Sequence, residues 1–420
     1  MQAFQVHPIN LIKAFSMALE LALTGMTSHH WRTAVISKRI AEAVGLGGQE
    51  LRKVIYAALL HDIGAAADWD ERRLLKQLGS MPQADVYKHA EIGYVLLKES
   101  SVLRDLAEIV RYHHDRWCGG NPSGLSGERI LLASRIVHLA DRIEVSLQES
   151  RPFLSQRRRL LENVRLQSGK AFDPRLVEAW ESCARQEAFW LDLIEANYHQ
   201  LFFEELRSYG MVPYSFDDAI RLAETFATII DKTSAFTASH SRSVSRVATF
   251  LAALQGFSPD ECKAMRIAGL LHDLGKLAIS NEILEKPGKL TQEEMDTIRQ
   301  HTYYTYRILN QIDHFGVIAE WAAYHHETLD GEGYPFRIGE ASLSPGARIV
   351  AVADVFVALS ENRPYRKSLS AQRVEEIVNN MVAARKLDGK IAAALLAHHE
   401  EAQRIMEAAG NECDEPKESL

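Results

Sequence analysis

Hydrophobic positions in this chain recur at three- and four-residue spacing, over Phe15–Leu23, Ile220–Ile230, Val244–Leu254 and Ile349–Leu359 among others. That period gathers apolar side chains on one face of a helix, so the pattern predicts amphipathic helices almost throughout. Helix starts are marked as well. Ser258-Pro259-Asp260-Glu261 joins a capping box to a proline at the first helical position. Thr291-Gln292-Glu293-Glu294 is a second box, and Ser344-Pro345 a third start. Alternating strand patterns are hard to find. The Gly-rich stretch Asp330–Gly346 reads as a loop with room for a short hairpin. The expected fold class is all-α.

The polar positions carry a second pattern, an internal repeat. His29, His61-Asp62, His89, His113-His114 and Asp141 in the first half answer to His240, His272-Asp273, His301, His325-His326 and Asp354 in the second. Successive gaps are 32, 28, 24 and 28 residues in the first series, and 32, 29, 24 and 29 in the second. One such match could arise by chance, but not the whole order with the same residue types. Context repeats too. Ala58-Leu-Leu-His-Asp-Ile-Gly64 echoes Gly269-Leu-Leu-His-Asp-Leu-Gly275, and Ala133–Asp141 echoes Gly346–Asp354. The chain therefore reads as two tandem helical domains, residues 1–207 and 208–420, joined around Arg207–Ser215 where Gly210 and Pro213 interrupt the pattern. His30 is an alternative first member of the first series, although spacing favours His29.

Composition narrows the class. A chain of 420 residues suits two domains of ordinary size. A net charge of -8 argues against broad binding to nucleic-acid duplexes, which calls for a basic face. Cys118, Cys183, Cys262 and Cys413 form no Cys-x-x-Cys pair, which fits a reducing cytoplasm and gives no disulfide framework or zinc knuckle. The apolar N-terminal stretch is broken by Lys13 and Glu20, and Ile349–Leu359 is too short to span a bilayer and carries Asp354. A cytoplasmic protein is expected.

A lone His-Asp pair at a helix end is most simply a satisfied terminus. Six further His/Asp positions at ordered spacing change that reading. Imidazole and carboxylate together suit divalent iron, manganese or zinc, and an aspartate can bridge two ions with its two oxygens. Lys276, one turn beyond His272, is either a cation at a helix end or a stabiliser of charge on phosphoryl oxygens.

His272-Asp273-Leu-Gly-Lys276, followed by His325-His326-Glu-Thr-Leu-Asp330-Gly-Glu-Gly333-Tyr334-Pro335, closely resembles the HD-GYP family. The resemblance continues through Glu285–Thr291, Ala347–Asp354 and Asn362–Arg366, and covers roughly residues 215–385. It implies an all-helical, metal-dependent phosphodiesterase. The substrate would be cyclic di-GMP or 3′,3′-cyclic GMP-AMP, opened to a linear 5′-phosphorylated dinucleotide by a metal-bridging hydroxide. By position, His240, His272, Asp273 and Asp354 would hold one metal; His301, His325, His326 and the bridging Asp273 would hold the other. Iron or manganese is the expected ion. Lys276 would contact the scissile phosphate, Arg363 and Arg366 would bind phosphate, and Gly333 and Tyr334 would shape the substrate pocket, although Gly331 and Gly333 also have a plain turn reading.

Two departures matter. Trimetal members carry a glutamate where this chain has Phe236, so two metals are expected rather than three. Val357 stands where the family usually has a second aspartate, which should alter bonding around the ligands only. The first copy keeps every ligand type and forms a second candidate metal cluster of His29, His61, Asp62, His89, His113, His114 and Asp141. Yet Ala65 replaces the lysine, Cys118 replaces Asp330, and the tyrosine is missing from Gly119-Gly-Asn-Pro122. That copy is a metal-loaded, weakly active or regulatory domain, or a scaffold with a persistent polar network. The expected partner is a cyclic dinucleotide, with no duplex and no membrane; a homodimer is left open. The competing class is a non-catalytic scaffold that responds to a cyclic dinucleotide, against which the intact lysine and Gly-Tyr-Pro loop argue.

Overall fold

The structure, a computed structural model, describes residues 5–23, 28–67, 86–208, 213–232, 239–286, 288–361 and 368–414. Among them there are helices and turns but no strand, only isolated bridges such as Val6 with Tyr214. The fold is all-α. No helix among the described residues is long and apolar enough to cross a membrane. The chain divides into two compact units, residues 7–213 and residues 214–420, the latter joined by the segment through Val6.

The N-terminal unit begins with helix Pro8–Ala22, whose Ile9, Ile12, Phe15 and Leu19 are fully buried. Helices His29–Ala43 and Gly48–Leu60 follow, then Val86–Glu99, Ala107–Arg111 and Leu132–Val145. Helices 153–208 complete the unit, with Trp180 and Trp190 in its core.

The C-terminal unit repeats that order with Phe216–Lys232, His240–Leu254, Pro259–Leu271, Gln292–Leu309, Gly316–Ala323 and Pro345–Ser360. Helix Phe216–Lys232 buries Ile220, Phe226 and Ile230 at the spacing the sequence showed. Each such side chain contributes about 1.5–3 kcal/mol by leaving water. The His240 helix packs against Pro259–Leu271, Pro345–Ser360 and His399–Asp414, which makes it the central element of the unit.

The capping boxes at Ser258 and Thr291 are both formed, with Glu261 and Glu294 returning bonds to the cap backbone. Ser344 precedes Pro345 at the start of its helix, but its side chain makes no cap bond. The stretch Asp330–Gly346 is a loop and not a hairpin. Its backbone donors are spent on a side chain instead: the buried carboxylate of Glu327 accepts from Phe336 N (2.7 Å) and Ile338 N (2.9 Å).

Candidate metal centre and active site

Three helix ends and two helix middles bring the C-terminal histidines and aspartates together. His240 opens its helix, and His272 and Asp273 cap the end of Pro259–Leu271. His301 lies within Gln292–Leu309, His325 and His326 follow Gly316–Ala323, and Asp354 lies within Pro345–Ser360. A close approach fixes the middle of this assembly. A Cβ on Gly275 would lie 1.9 Å from the carbonyl oxygen of His301, so only glycine lets the His-Asp turn meet that helix. Thr305 fastens the same joint, accepting from Gly275 N at 2.9 Å and donating to the carbonyl of His272 at 3.1 Å.

The orientation of the imidazoles is set from behind. His272 Nδ1 donates to Gly269 O (2.9 Å), His301 Nδ1 to Ile298 O (2.6 Å) and His325 Nδ1 to Ala322 O (2.7 Å). Each bond places the proton on Nδ1 and leaves the Nε2 lone pair facing inward, as metal-ligating histidines are held. Burial keeps His301, His325 and His326 neutral. It pushes His301 down to about 3, only partly opposed by Asp273, and lowers His325 and His326. Asp273 stays ionised despite its burial because His272 and Lys276 hold its carboxyl well below the usual range.

Asp273 divides its two oxygens between the histidines. Oδ2 faces His272 Nε2 (3.3 Å) and His240 Nε2 (3.9 Å), and Oδ1 faces His301 Nε2 (3.5 Å) and His325 Nε2 (4.0 Å). Asp354 Oδ1 lies 3.2 Å from His240 Nε2 and 3.8 Å from His272 Nε2. Neither His272 Nε2 nor Asp273 Oδ1 has a hydrogen-bond partner, although both are buried. Inward lone pairs facing carboxylate oxygens are mutually repulsive unless a cation lies among them. The donor set therefore fits divalent metal, and its ligand atoms fall into two groups on either side of Asp273, as two ions would need.

His240 is held differently from its partners. Burial lowers its pKa, but bonds to Asp354 and Glu361 more than reverse this and raise it to about 10. Glu361 Oε2 lies 3.2 Å from His240 Nδ1. In the N-terminal unit Glu144 Oε2 stands 2.5 Å from His29 Nδ1, from the position that Val357 fills in the C-terminal unit. The carboxylate missing at Val357 is thus supplied by Glu361, one turn later. Sequence reading passed over Glu361 and Glu144, and also Glu327. For Glu361 and Glu144 the available signal was an acidic residue within two turns of each terminal aspartate; for Glu327 it was its place in the quoted motif.

Lys276 Nζ donates to Asp273 Oδ2 at 2.5 Å and is a quarter exposed, so it stands at the edge of the buried cluster. The tyrosine ring of Tyr334 packs 4.9 Å from the ring of His326, with Arg299 over its other surroundings at 5.6 Å. Gly331 has a positive φ of 77°, as a turn requires. Gly333 is needed for another reason: a Cβ there would come within 2.5 Å of the Glu327 backbone. Arg363, Arg366 and Phe236 lie outside the described residues.

The N-terminal unit repeats the arrangement. His61 Nδ1 donates to Ala58 O (2.8 Å) and His113 Nδ1 to Val110 O (2.5 Å). Asp62 Oδ2 faces His29 (3.5 Å) and His61 (3.3 Å), while Oδ1 faces His89 (3.4 Å). His114 Nε2 lies 3.0 Å from His89 Nε2, and Asp141 Oδ1 lies 3.7 Å from His29. Gly64 answers to Gly275, with a Cβ 2.0 Å from the carbonyl oxygen of His89. Both spacing series thus correspond to assembled clusters.

Comparison with known proteins agrees with this geometry. A family profile described as HD domain matches residues 224–391, and another of the same description matches residues 26–146. The 3′3′-cGAMP-specific phosphodiesterase 1 of Vibrio cholerae is 32% identical over 402 residues, 91% of this chain and 90% of the relative. The cyclic di-GMP phosphodiesterase response regulator RpfG of Xanthomonas campestris is 42% identical over 127 residues, 30% of this chain and 34% of the relative. Among solved structures, a cyclic GMP-AMP phosphodiesterase of V. cholerae (V-cGAP3) matches with a TM-score of 0.66 at 25% identity, covering 97% of this chain and 98% of its own. The duplicated His/Asp clusters, the intact Gly-Tyr-Pro loop and a relative matched along nine-tenths of its length agree: the chain belongs to the HD-GYP family of cyclic dinucleotide phosphodiesterases, with a second, degenerate HD domain ahead of the HD-GYP unit.

Proposed function

We propose that the C-terminal unit hydrolyses 3′,3′-cyclic GMP-AMP to a linear 5′-phosphorylated dinucleotide. The observation that carries the choice of substrate is coverage: the relative specific for that compound matches nearly the whole chain, both units included, whereas RpfG matches less than a third. The centre would hold two divalent ions, iron or manganese, with His240, His272, Asp273 and Asp354 for one and His301, His325, His326 and the shared Asp273 for the other. When bound, such a pair lowers the pKa of water and neutralises charge on the phosphoryl oxygens.

The chain's own residues supply the rest. The Nδ1 bonds to backbone carbonyls keep the ligand imidazoles in one tautomer and one orientation. Lys276 already lies against Asp273 and is partly exposed, so a phosphate oxygen entering beside that carboxylate would meet the ammonium. Its charge would count most as a water oxygen joins phosphorus and the bond to the 3′ oxygen breaks. Glu327 fixes the loop that carries Gly333 and Tyr334 at the mouth of the cluster. Arg363 and Arg366 are proposed to bind the phosphates.

The test is product analysis after anaerobic purification and metal quantification, with cyclic di-GMP and both linkage isomers of cyclic GMP-AMP as substrates. The 3′,3′ isomer should turn over fastest and yield the 5′-phosphorylated linear product. Faster turnover of cyclic di-GMP would reassign the substrate, and no turnover with iron or manganese loaded would overturn hydrolysis.

A further inference from the structure

The N-terminal cluster differs from the C-terminal one in a way that the spacing series did not reveal. His30 is fully buried, and neither of its ring nitrogens has a hydrogen-bond partner. Its Nε2 lies 3.6 Å from Asp62 Oδ2, and its ring stands 5.3 Å from those of both His29 and His61. The ligand atoms of His29, His30, His61 and Asp62 all fall within 4.8 Å of one another. The corresponding C-terminal group is His240, His272 and Asp273. Ser241 follows His240 where His30 follows His29, and its hydroxyl is turned away to Asp231 at 2.6 Å.

We infer that the N-terminal unit binds a metal ion of its own through His29, His30, His61 and Asp62, and that this site favours zinc more strongly than the C-terminal site does. The argument rests on donors and on charge. Three imidazoles and one carboxylate make a nitrogen-rich set of the size zinc takes, whereas manganese is drawn to oxygen-rich sites. The lone pairs are set for it. His61 commits Nδ1 to Ala58 O and His29 commits Nδ1 to Glu144, so their Nε2 atoms meet at 3.2 Å, a contact that needs a proton or a metal ion between them. Left with neither a proton nor a metal ion, each such buried group is destabilising.

The cationic side chains are also arranged differently. In the C-terminal unit Lys276 sits on Asp273 Oδ2, drawing charge from the oxygen that faces His240 and His272. Ala65 replaces it and is buried, so Asp62 Oδ2 is left to the three imidazoles. The N-terminal cation is Arg142, which donates to Asp141 Oδ2 from Nε (2.9 Å) and Nη2 (2.7 Å) and leaves Oδ1 facing His29 and His61. Asp62 therefore keeps more of its charge for a metal than Asp273 does.

The experiment uses the full chain in two backgrounds. His272→Ala with Asp273→Ala disables the C-terminal site, and His61→Ala with Asp62→Ala disables the N-terminal one. Each is stripped with chelator, and Zn2+ and Mn2+ affinities are measured by competition with a chromophoric chelator. Zinc outbinds manganese at most sites, so the quantity compared is the ratio of the two affinities. That ratio should be at least about tenfold larger at the N-terminal site. Adding His30→Ser, which copies the other unit, should weaken zinc by about 10- to 100-fold and change manganese far less. Equal ratios at the two sites, or no tight zinc with the C-terminal site disabled, would overturn the inference. If His30→Ser does not fold, zinc-edge X-ray absorption of the His272→Ala/Asp273→Ala protein decides the matter. Three imidazoles are expected there, and two would exclude His30. No activity is read, so the outcome is separable from the hydrolysis proposal.

Discussion

At the scale of single residues, the C-terminal cluster is a set of lone pairs waiting for positive charge, and His240 shows what happens without metal. Its pKa rises to about 10 because, against the cost of burial, a proton there answers the carboxylates of Asp354 and Glu361. A metal must displace that proton. Below about pH 10 each unit of rising pH should therefore strengthen metal binding up to about tenfold, with one proton released per site, readable by competition titration in two buffers. The sign for the metal-free chain is opposite. His240 contributes stability that is fully present below about pH 6.5, its unfolded pKa, and is lost as pH rises through 10. Lys276 makes a second residue-scale test. Its ion pair with Asp273 is not needed to build the cluster, so Lys276→Ala should retain metal and lower kcat by about 10²-fold through lost stabilisation of phosphoryl charge. Loss of metal in parallel with activity would instead make the lysine structural.

At the scale of elements, the recognisable features were those written into local sequence. Apolar period, capping boxes and the His/Asp gaps predict the helices and the two clusters, because these depend on neighbours three or four residues apart or on residue type alone. Interactions that join distant elements left no such trace. Glu361 reaches His240 from 121 residues away, and beyond its place two turns after Asp354 nothing in the spacing of either helix announces it. The short hairpin did not form for a similar reason: Glu327 takes up the donors of Phe336 and Ile338, a use of backbone that a Gly-rich stretch does not reveal. The compensation at Val357 can be tested directly. Glu361→Gln keeps size but removes the charge behind His240, and metal affinity should fall by about 10- to 100-fold with the helix intact. An unchanged affinity, measured by the same competition titration with helicity followed by circular dichroism, would mean that His240 is held well enough by Asp354 alone.

At the scale of the molecule, the duplication supplies an internal control for the chemistry. Gly64 and Gly275 occupy equivalent joints, each pressed against the carbonyl of a helical histidine later in its unit, His89 in one unit and His301 in the other. Alanine at either position must push that helix back, an overpacking that costs about 1–3 kcal/mol. The two substitutions should therefore destabilise their own units by similar amounts, seen as separate shifts if thermal unfolding resolves two transitions. Their effects on turnover should differ sharply. Gly275→Ala displaces His301 from the cluster beside Lys276 and the Gly-Tyr-Pro loop, and kcat should fall by about 10²-fold or more, since misplacement near 1 Å has that cost. Gly64→Ala disturbs a unit that has Ala65 in place of the lysine and no tyrosine in its loop, so kcat should stay within about threefold of the parent, a difference of less than 1 kcal/mol in the barrier. Equal loss from both would show that the N-terminal cluster is a working part of the hydrolytic site, and the division of labour between the units would have to be redrawn.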